Sequence, residues 1–351
     1  MHSTDTIGWF ADIRLDDRPQ VGGKGGSLGE LQRAGIDVPP GFVVKTNAFE
    51  HFIQALERES PVRSRIEALD PDNLEALALC CQEIRARVEQ IALPAEVSDA
   101  ISSAHEALSA GDAEPGPVAV RSSATTEDAV DASFAGLQDT YLWVTDLGQA
   151  LHRVKSCWAS LYSVESVAYR RKRGLPEEGV AMAVVVQKMV NARTAGVMFT
   201  RSPVTGDRSV ITIEGAWGLG SAVVGGEVTP DRWVVGKVTG EISTREVSEK
   251  LIQHRPLAGG GIEAVAVPED LRRVPCMSDD ELDTLRGIGR KIERHYGRPQ
   301  DIEWAVENHT GKILLLQSRP ETVWSAKEAA PVAQATHDPL QHVMSIFGGR
   351  Q

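Results

Sequence analysis

Arg121 closes a short apolar run, Val118 to Val120, and is followed at once by Ser122, Ser123, Thr125, Thr126, Glu127 and Asp128. A β-prone stretch ending in a fork-shaped cation and a cluster of hydroxyls suits the grip of an anion. A guanidinium can hold two phosphate oxygens at once, where a lysine acts as a point charge. The same segment could equally be a strand end whose arginine pairs with Glu127 or Asp128. A second constellation lies far along the chain, where Glu303 and Gln317 sit in the runs 301–306 and 312–320, on either side of a turn around Asn308. If these runs form a hairpin with an odd number of loop residues, Glu303 and Gln317 fall opposite one another, and Arg319 shares their face. A carboxylate beside an amide oxygen suits Mg²⁺, which takes hard oxygen ligands and shares the rest with phosphates. Arg319 would then stand near a terminal phosphate. The alternative is a surface hairpin with a polar cross-strand pair, which accounts poorly for polar residues gathered at the end of an Ile-Leu-Leu-Leu run.

Two further stretches are weaker signals. Lys24 sits in the glycine-rich segment from Val21 to Leu31, where Ser27 and Glu30 have capping-box spacing and predict a helix start. The glycines permit close backbone approach, and a helix start favours an anion. The lysine precedes two glycines, so this is no Walker A loop, and alone the segment reads first as helix entry. Gln187 and Lys188 interrupt the apolar run 181–190, as residues lining a purine pocket would.

The elements needed to position these residues can be read in outline. Residues 48–110 have a mostly helical pattern, 38–44 read as a turn into a strand, and 140–144 as a strand. One long helix is expected over 147–173, with a core stripe of Leu151, Val154, Trp158, Leu161 and Val164. The runs 181–190 and 195–200 are expected to form a β-hairpin. Residues 211–220 read as a strand with Glu214 near its end, running into a glycine-rich turn. After a linker at 325–336, Asp338 to Gly348 carries helix start and stop signals, and this short helix is expected to dock on a partner subunit or on its own domain.

The chain has 351 residues, 42% hydrophobic and 25% charged, enough for two domains or one two-lobed domain. Its formal net charge of -12 argues against nucleic acid or an anionic membrane as the main partner. Four cysteines show no metal-ligand spacing and are expected to be reduced and structural. No signal peptide is visible and the longest apolar run is too short to span a bilayer, so a soluble, cytoplasmic protein is expected.

Taken in order, Gly-Gly-Lys-Gly-Gly-Ser-Leu-Gly-Glu-Leu, Val-Arg-Ser-Ser-Ala-Thr-x-Glu-Asp, Ser-Phe-Ala-Gly-Leu-x-x-Thr, Val-Gln-Lys-Met-Val, Gly-Val-x-Phe-Thr-Arg-x-Pro-Val-Thr-Gly, Trp-Gly-Leu-Gly, Asp-Ile-Glu-Trp and Leu-Gln-Ser-Arg-Pro all occur in this chain. The set resembles the nucleotide-binding domain of the phosphoenolpyruvate synthase, pyruvate phosphate dikinase and rifampicin phosphotransferase family, over residues 8 to 325. The resemblance implies an α+β, two-lobed ATP-grasp fold whose antiparallel sheets clamp ATP and Mg²⁺. The lobes are expected at 1–200 and 201–325, with linker and tail helix at 326–351. It further implies that Lys24 and Arg121 hold phosphates, that Gly136 and Thr140 belong to a phosphate-covering loop, and that Gln187 lies at the adenine. Glu303 and Gln317 would face the metal and Arg319 the γ-phosphate. Arg121, Arg319 and Lys24 would act in catalysis by positioning and charge neutralisation.

In that family ATP is cleaved to AMP and phosphate, and the β-phosphoryl group passes to a histidine on a swivelling domain, which phosphorylates the acceptor elsewhere. None of the nine histidines here has the glycine-rich Thr-Ser-His or Thr-Cys-His context of that domain. The resemblance therefore implies a truncated piece or one subunit of a split enzyme. Phenylphosphate synthase and its relatives have small ATP-binding subunits of similar size. They point to a histidine-bearing partner subunit and a phenol or alkylphenol acceptor. A self-contained ATP-grasp kinase or ligase, a nucleotide domain cut from a phosphoenolpyruvate synthase or rifampicin phosphotransferase, and a non-catalytic ATP sensor are the alternatives. The first would give ADP rather than AMP, and the sensor need not keep Lys24, Arg121, Glu303, Gln317 and Arg319 together.

Overall fold

Two antiparallel sheets, each backed by helices, form an α+β fold in the computed structural model, which describes residues 5–111, 116–125, 139–322 and 324. The first half runs β1 (Ile7–Trp9), α1 (Arg18–Arg33), β2 (Gly41–Val44), α2 (Thr46–Glu59), α3 (Arg63–Glu67), α4 (Leu74–Gln90) and α5 (Ala95–Ser109). It continues through β3 (Val118–Ala124), β4 (Thr140–Val144), α6 (Leu147–Ser160), α7 (Val164–Lys172) and β5 (Met182–Lys188). The second half runs β6 (Ala192–Phe199), β7 (Val210–Trp217), α8 (Ser221–Val224), β8 (Asp231–Gly236), β9 (Ile242–Glu246), β10 (Ile252–Pro256) and β11 (Ile262–Ala266). It ends with α9 (Asp279–Tyr296), β12 (Gln300–Glu307) and β13 (Ile313–Pro320). The first sheet has the order β1-β2-β5-β3-β4 and the second β13-β12-β6-β7-β8-β9, while β10 and β11 make a separate ribbon.

Side-chain alternation along the strands gives each sheet a core face and a cleft face. In the first sheet Phe42, Val118, Val120, Val184 and Val186 pack with helical residues such as Phe52 and Trp158. The other face carries Arg121 and Gln187, paired with Val185 and Ala119, and is partly covered by Val21 and Leu28 of α1. In the second sheet Met198, Ile213, Trp233 and Trp304 pack on Leu285 and Ile292 of α9. Glu303, Val197 and Glu214, opposed across three strands, occupy its other face.

Helix α1 joins the two halves, because Leu31 belongs to the second core while Leu28 belongs to the first sheet. Ser27 Oγ donates to the Ser318 carbonyl at 2.5 Å, and His295 Nε2 lies 2.6 Å from a Glu30 carboxylate oxygen. This replaces the expected capping box at Ser27. The helix begins at Arg18, with Pro19 in its first turn, and continues through the glycines; Gly22 alone is non-helical, at φ 71° and ψ 177°.

Two other expectations are corrected. Residues 147–173 form two helices, because the Ser163 hydroxyl accepts from the Ser166 N–H and caps a new helix start. The runs 181–190 and 195–200 are not a hairpin: β5 pairs with β2 and β3, whereas β6 pairs with β12 and β7. The second sheet therefore begins at Ala192, inside the 1–200 stretch assigned to the first lobe. An apolar strand can be buried in either sheet, so its pattern does not name its partner. Gly136, the linker and the expected tail helix lie outside the described residues. All four cysteines are buried and unpaired, and no helix among the described residues is long and apolar enough to cross a membrane.

Candidate functional site

Arg121 stands at the middle of β3 rather than at the strand end expected from the sequence, flanked by Val185 of β5 and Thr140 of β4, and sends its guanidinium to the other sheet. Its Nη1 donates to the Leu316 carbonyl at 3.0 Å. Its Nη2 donates to Glu303 Oε2 at 3.1 Å and to the Gln317 amide oxygen. Glu303 and Gln317 are directly opposed in the β12–β13 register as expected, but not through an odd loop: the last strand pair, Val306 and Ile313, encloses the even stretch 307–312, and a bulge supplies the odd residue. Just beyond them the register shifts so that Trp304 faces Leu315. This bulge leaves Leu316 unpaired and its carbonyl free to meet the arginine.

Asp301 precedes Glu303 by two residues and shares its face. It faces Arg319 in the register and accepts from its Nε at 3.3 Å. The other Asp301 oxygen is buried without a hydrogen-bond partner among the described residues. Burial pushes this carboxyl up to about 6, against the lowering pull of Arg319. Burial also raises Glu214, partly offset by Arg232. Carboxylates on one side of a cleft and an arginine on the other form a charged seam that a cation and its anionic partner could enter together.

A cavity of about 450 Å³ lies between the sheets, a usual size for a small-molecule site. Arg121, Thr140, Gln187 and Lys188 line it from the first sheet and Glu303 from the second. Along the strands away from the Arg121–Glu303 pair the wall becomes apolar, with Met189, Val190, Ala192 and Ala195. The Gln187 amide nitrogen donates to the Pro39 carbonyl at 3.2 Å, which fixes the buried side chain against the strand entry.

Lys24 and Arg319 do not line this cavity. Lys24 is buried in α1, beside Gly25, whose N–H donates to Ser123 Oγ at 3.1 Å; Ser123 in turn donates to the Val21 carbonyl at 2.8 Å. The glycine-rich segment is thus docked two residues beyond Arg121. Gly22 is required there, since a Cβ on it would lie 2.1 Å from the Ser123 carbonyl oxygen. Arg319 stands at the rim with 59% of its side chain exposed. Sequence reasoning left Asp301 without a role, although alternation from Glu303 was a usable signal. The Leu316 carbonyl had no signal, because its availability depends on a bulge. Among the described residues no three His, Cys, Asp or Glu side chains cluster as a metal site.

The family described as pyruvate phosphate dikinase, AMP/ATP-binding domain, matches residues 18–339. The chain belongs to this family. Among its curated relatives is a probable phosphoenolpyruvate synthase of Staphylothermus marinus, 40% identical over 93% of this chain and 42% of the relative. One from Archaeoglobus fulgidus is 43% identical over 90% of the chain and 41% of the relative. The phosphoenolpyruvate synthase of Pyrococcus furiosus is 37% identical over 95% of the chain and 45% of the relative. The chain therefore spans less than half the length of these relatives. As a dikinase AMP/ATP-binding domain, it has the mixed, antiparallel architecture that its motifs imply, and its motif residues Arg121, Glu303 and Gln317 meet across the cleft.

Proposed function

We propose that this chain is the ATP-cleaving part of a phosphoenolpyruvate-synthase-type phosphotransferase, handing the β-phosphoryl group of ATP to a histidine outside these 351 residues. The observation that carries the reading is the convergence of Arg121 from one sheet with Glu303 and Gln317 from the other, beside a cavity of nucleotide size. Arg121 would release these two side chains to grip phosphate oxygens, and Lys24 and Arg319 would approach from α1 and the rim. Thr140 and Gly136 would help to cover the phosphates. Gln187 would flank the base at the apolar end.

Glu303 and Gln317 fit Mg²⁺, because each turns an oxygen toward the same point at Arg121 Nη2. The unpartnered Asp301 oxygen adds to this hard donor set. Mg²⁺ would supply charge neutralisation; the side chains would orient the phosphates and exclude water. The relatives named phosphoenolpyruvate synthase favour that type of acceptor over the phenol or alkylphenol expected from size. Those acceptors would belong to a split enzyme with a separate histidine-bearing subunit.

Nucleotide products test the reading. The chain is incubated with ATP and Mg²⁺, with and without a histidine-domain protein and either pyruvate or a phenol. AMP formed only with the histidine domain is expected. ADP from the chain alone would replace the reading with a self-contained kinase.

A further inference from the structure

Ser221, His254 and Glu227 form a hydrogen-bonded chain at the wall of the cavity, outside the motif residues discussed so far. Ser221 Oγ lies 2.8 Å from His254 Nδ1, and His254 Nε2 lies 3.3 Å from Glu227 Oε2. The His254 side chain is 9% exposed. Its position is fixed by the backbone, since the Leu219 N–H donates to the His254 carbonyl at 3.1 Å. Gly218, at φ +78°, makes that approach possible: a Cβ there would lie 2.5 Å from the His254 carbonyl oxygen. The ribbon strand β10 is thereby fastened to the glycine-rich turn after β7, with Ser221 held at its tip. Ser221 lines both the main cavity and an adjoining space of about 320 Å³ bounded by Thr140, Leu142 and Gly261.

Hydrogen-bond roles follow from the end of the chain. A carboxylate can only accept, so in the neutral ring Nε2 carries the hydrogen and Nδ1 offers a lone pair. The Ser221 hydroxyl then donates to Nδ1, leaving its own lone pairs to accept from a ligand. Such a group has nothing to give a phosphate oxygen. It suits a hydroxyl donor.

Its place along the cleft agrees. Glu303 faces Val197 on β6, whereas a Cβ on Gly220 would lie 3.4 Å from that of Ala195. Two residues along a strand are about 7 Å. The Gly220–Ser221 turn therefore stands about one such step from the carboxylate row, toward the apolar end at Ala192 and Val190. A nucleoside triphosphate with its phosphates at Arg121 and its base at the apolar end would pass its sugar here.

We propose that Ser221 accepts a hydrogen bond from a ribose hydroxyl of the bound nucleotide, with His254 and Glu227 as positioning residues that fix its orientation. The inference rests on the nucleotide reading of the cavity. The test is calorimetric titration of the chain with ATP, 2′-deoxyATP and 3′-deoxyATP in Mg²⁺. The parent should bind ATP about tenfold more tightly than at least one deoxy analogue, the loss of one hydrogen bond. Ser221→Ala should weaken ATP by that factor and leave the same analogue unchanged, so that discrimination disappears. His254→Ala should move the same ratio, and His254→Asn, which keeps a side-chain polar group near the Nδ1 position, should restore part of it. Equal affinities for all three nucleotides in the parent, or an unchanged ratio in folded Ser221→Ala, would overturn the sugar contact while leaving ATP binding standing. Failure of the parent to bind any of the three would overturn the nucleotide reading itself, and this inference with it.

Discussion

Arg121 Nη2 and Glu303 Oε2 meet 3.1 Å apart across the cleft, although 182 residues separate them in the chain. The ion pair links the two sheets beside the cavity, so any anion bound there must compete for the arginine and any cation for the carboxylate. Ligand entry and the electrostatic tie between the lobes are therefore coupled through one side chain.

Arg121→Lys tests that coupling. A lysine keeps the charge but cannot span the Leu316 carbonyl, Glu303 and Gln317 together. ATP affinity, read by calorimetry with Mg²⁺, is expected to fall about 10–100-fold, and the ligand-free protein to lose about 1–2 kcal/mol in urea unfolding. Lost stability with unchanged affinity would confine Arg121 to a structural tie.

Gly22→Ala should be among the costliest single substitutions in α1. The residue has φ +71°, and the added carbon would meet the Ser123 carbonyl at 2.1 Å. A loss of about 2–4 kcal/mol is expected, because the strained backbone and the clash act together. A melting temperature equal to the parent's would show that α1 can lift away from β3 at little cost.

Ser27→Ala separates two roles for one hydroxyl. The side chain donates to the Ser318 carbonyl rather than capping a helix. Circular dichroism should show unchanged helix content, while stability falls by about 1 kcal/mol. Loss of helix signal would restore the capping role.

Glu214→Gln gives a pH signature. Burial raises the Glu214 carboxyl from its ordinary value of 4.5. Between 4.5 and the raised value the folded protein holds a proton that the unfolded chain has released, so stability falls as pH rises through that window. Removing the charge should make the variant more stable than the parent at pH 7 and nearly equal to it at pH 4. Parallel stability curves across this range would mean that Arg232 compensates the carboxylate fully.

Part of the site could be read locally. The polar residues of the 301–306 and 312–320 runs marked a hairpin, but Glu303 meets Gln317 only because the bulge at Leu316 makes up for an even loop, 307–312. The apolar run into Arg121 announced a buried strand, but not its end: β3 continues through Ser122 and Ser123 to Ala124, and the arginine stands at its middle. What needed the tertiary structure was every choice of partner. Arg121 had acidic neighbours in sequence at Glu127 and Asp128, yet its guanidinium reaches Glu303, because sheet packing rather than chain distance sets which charges meet. Ser27 and Glu30 had the spacing of a cap, but α1 starts earlier and the crossing of β13 claims the hydroxyl. The break between β5 and β6 looked like a turn, since hydrophobic patterning reports burial without saying in which sheet. The Ser221–His254 contact lay beyond sequence reasoning altogether: it joins two segments that become neighbours only when the β10–β11 ribbon folds back onto the glycine turn.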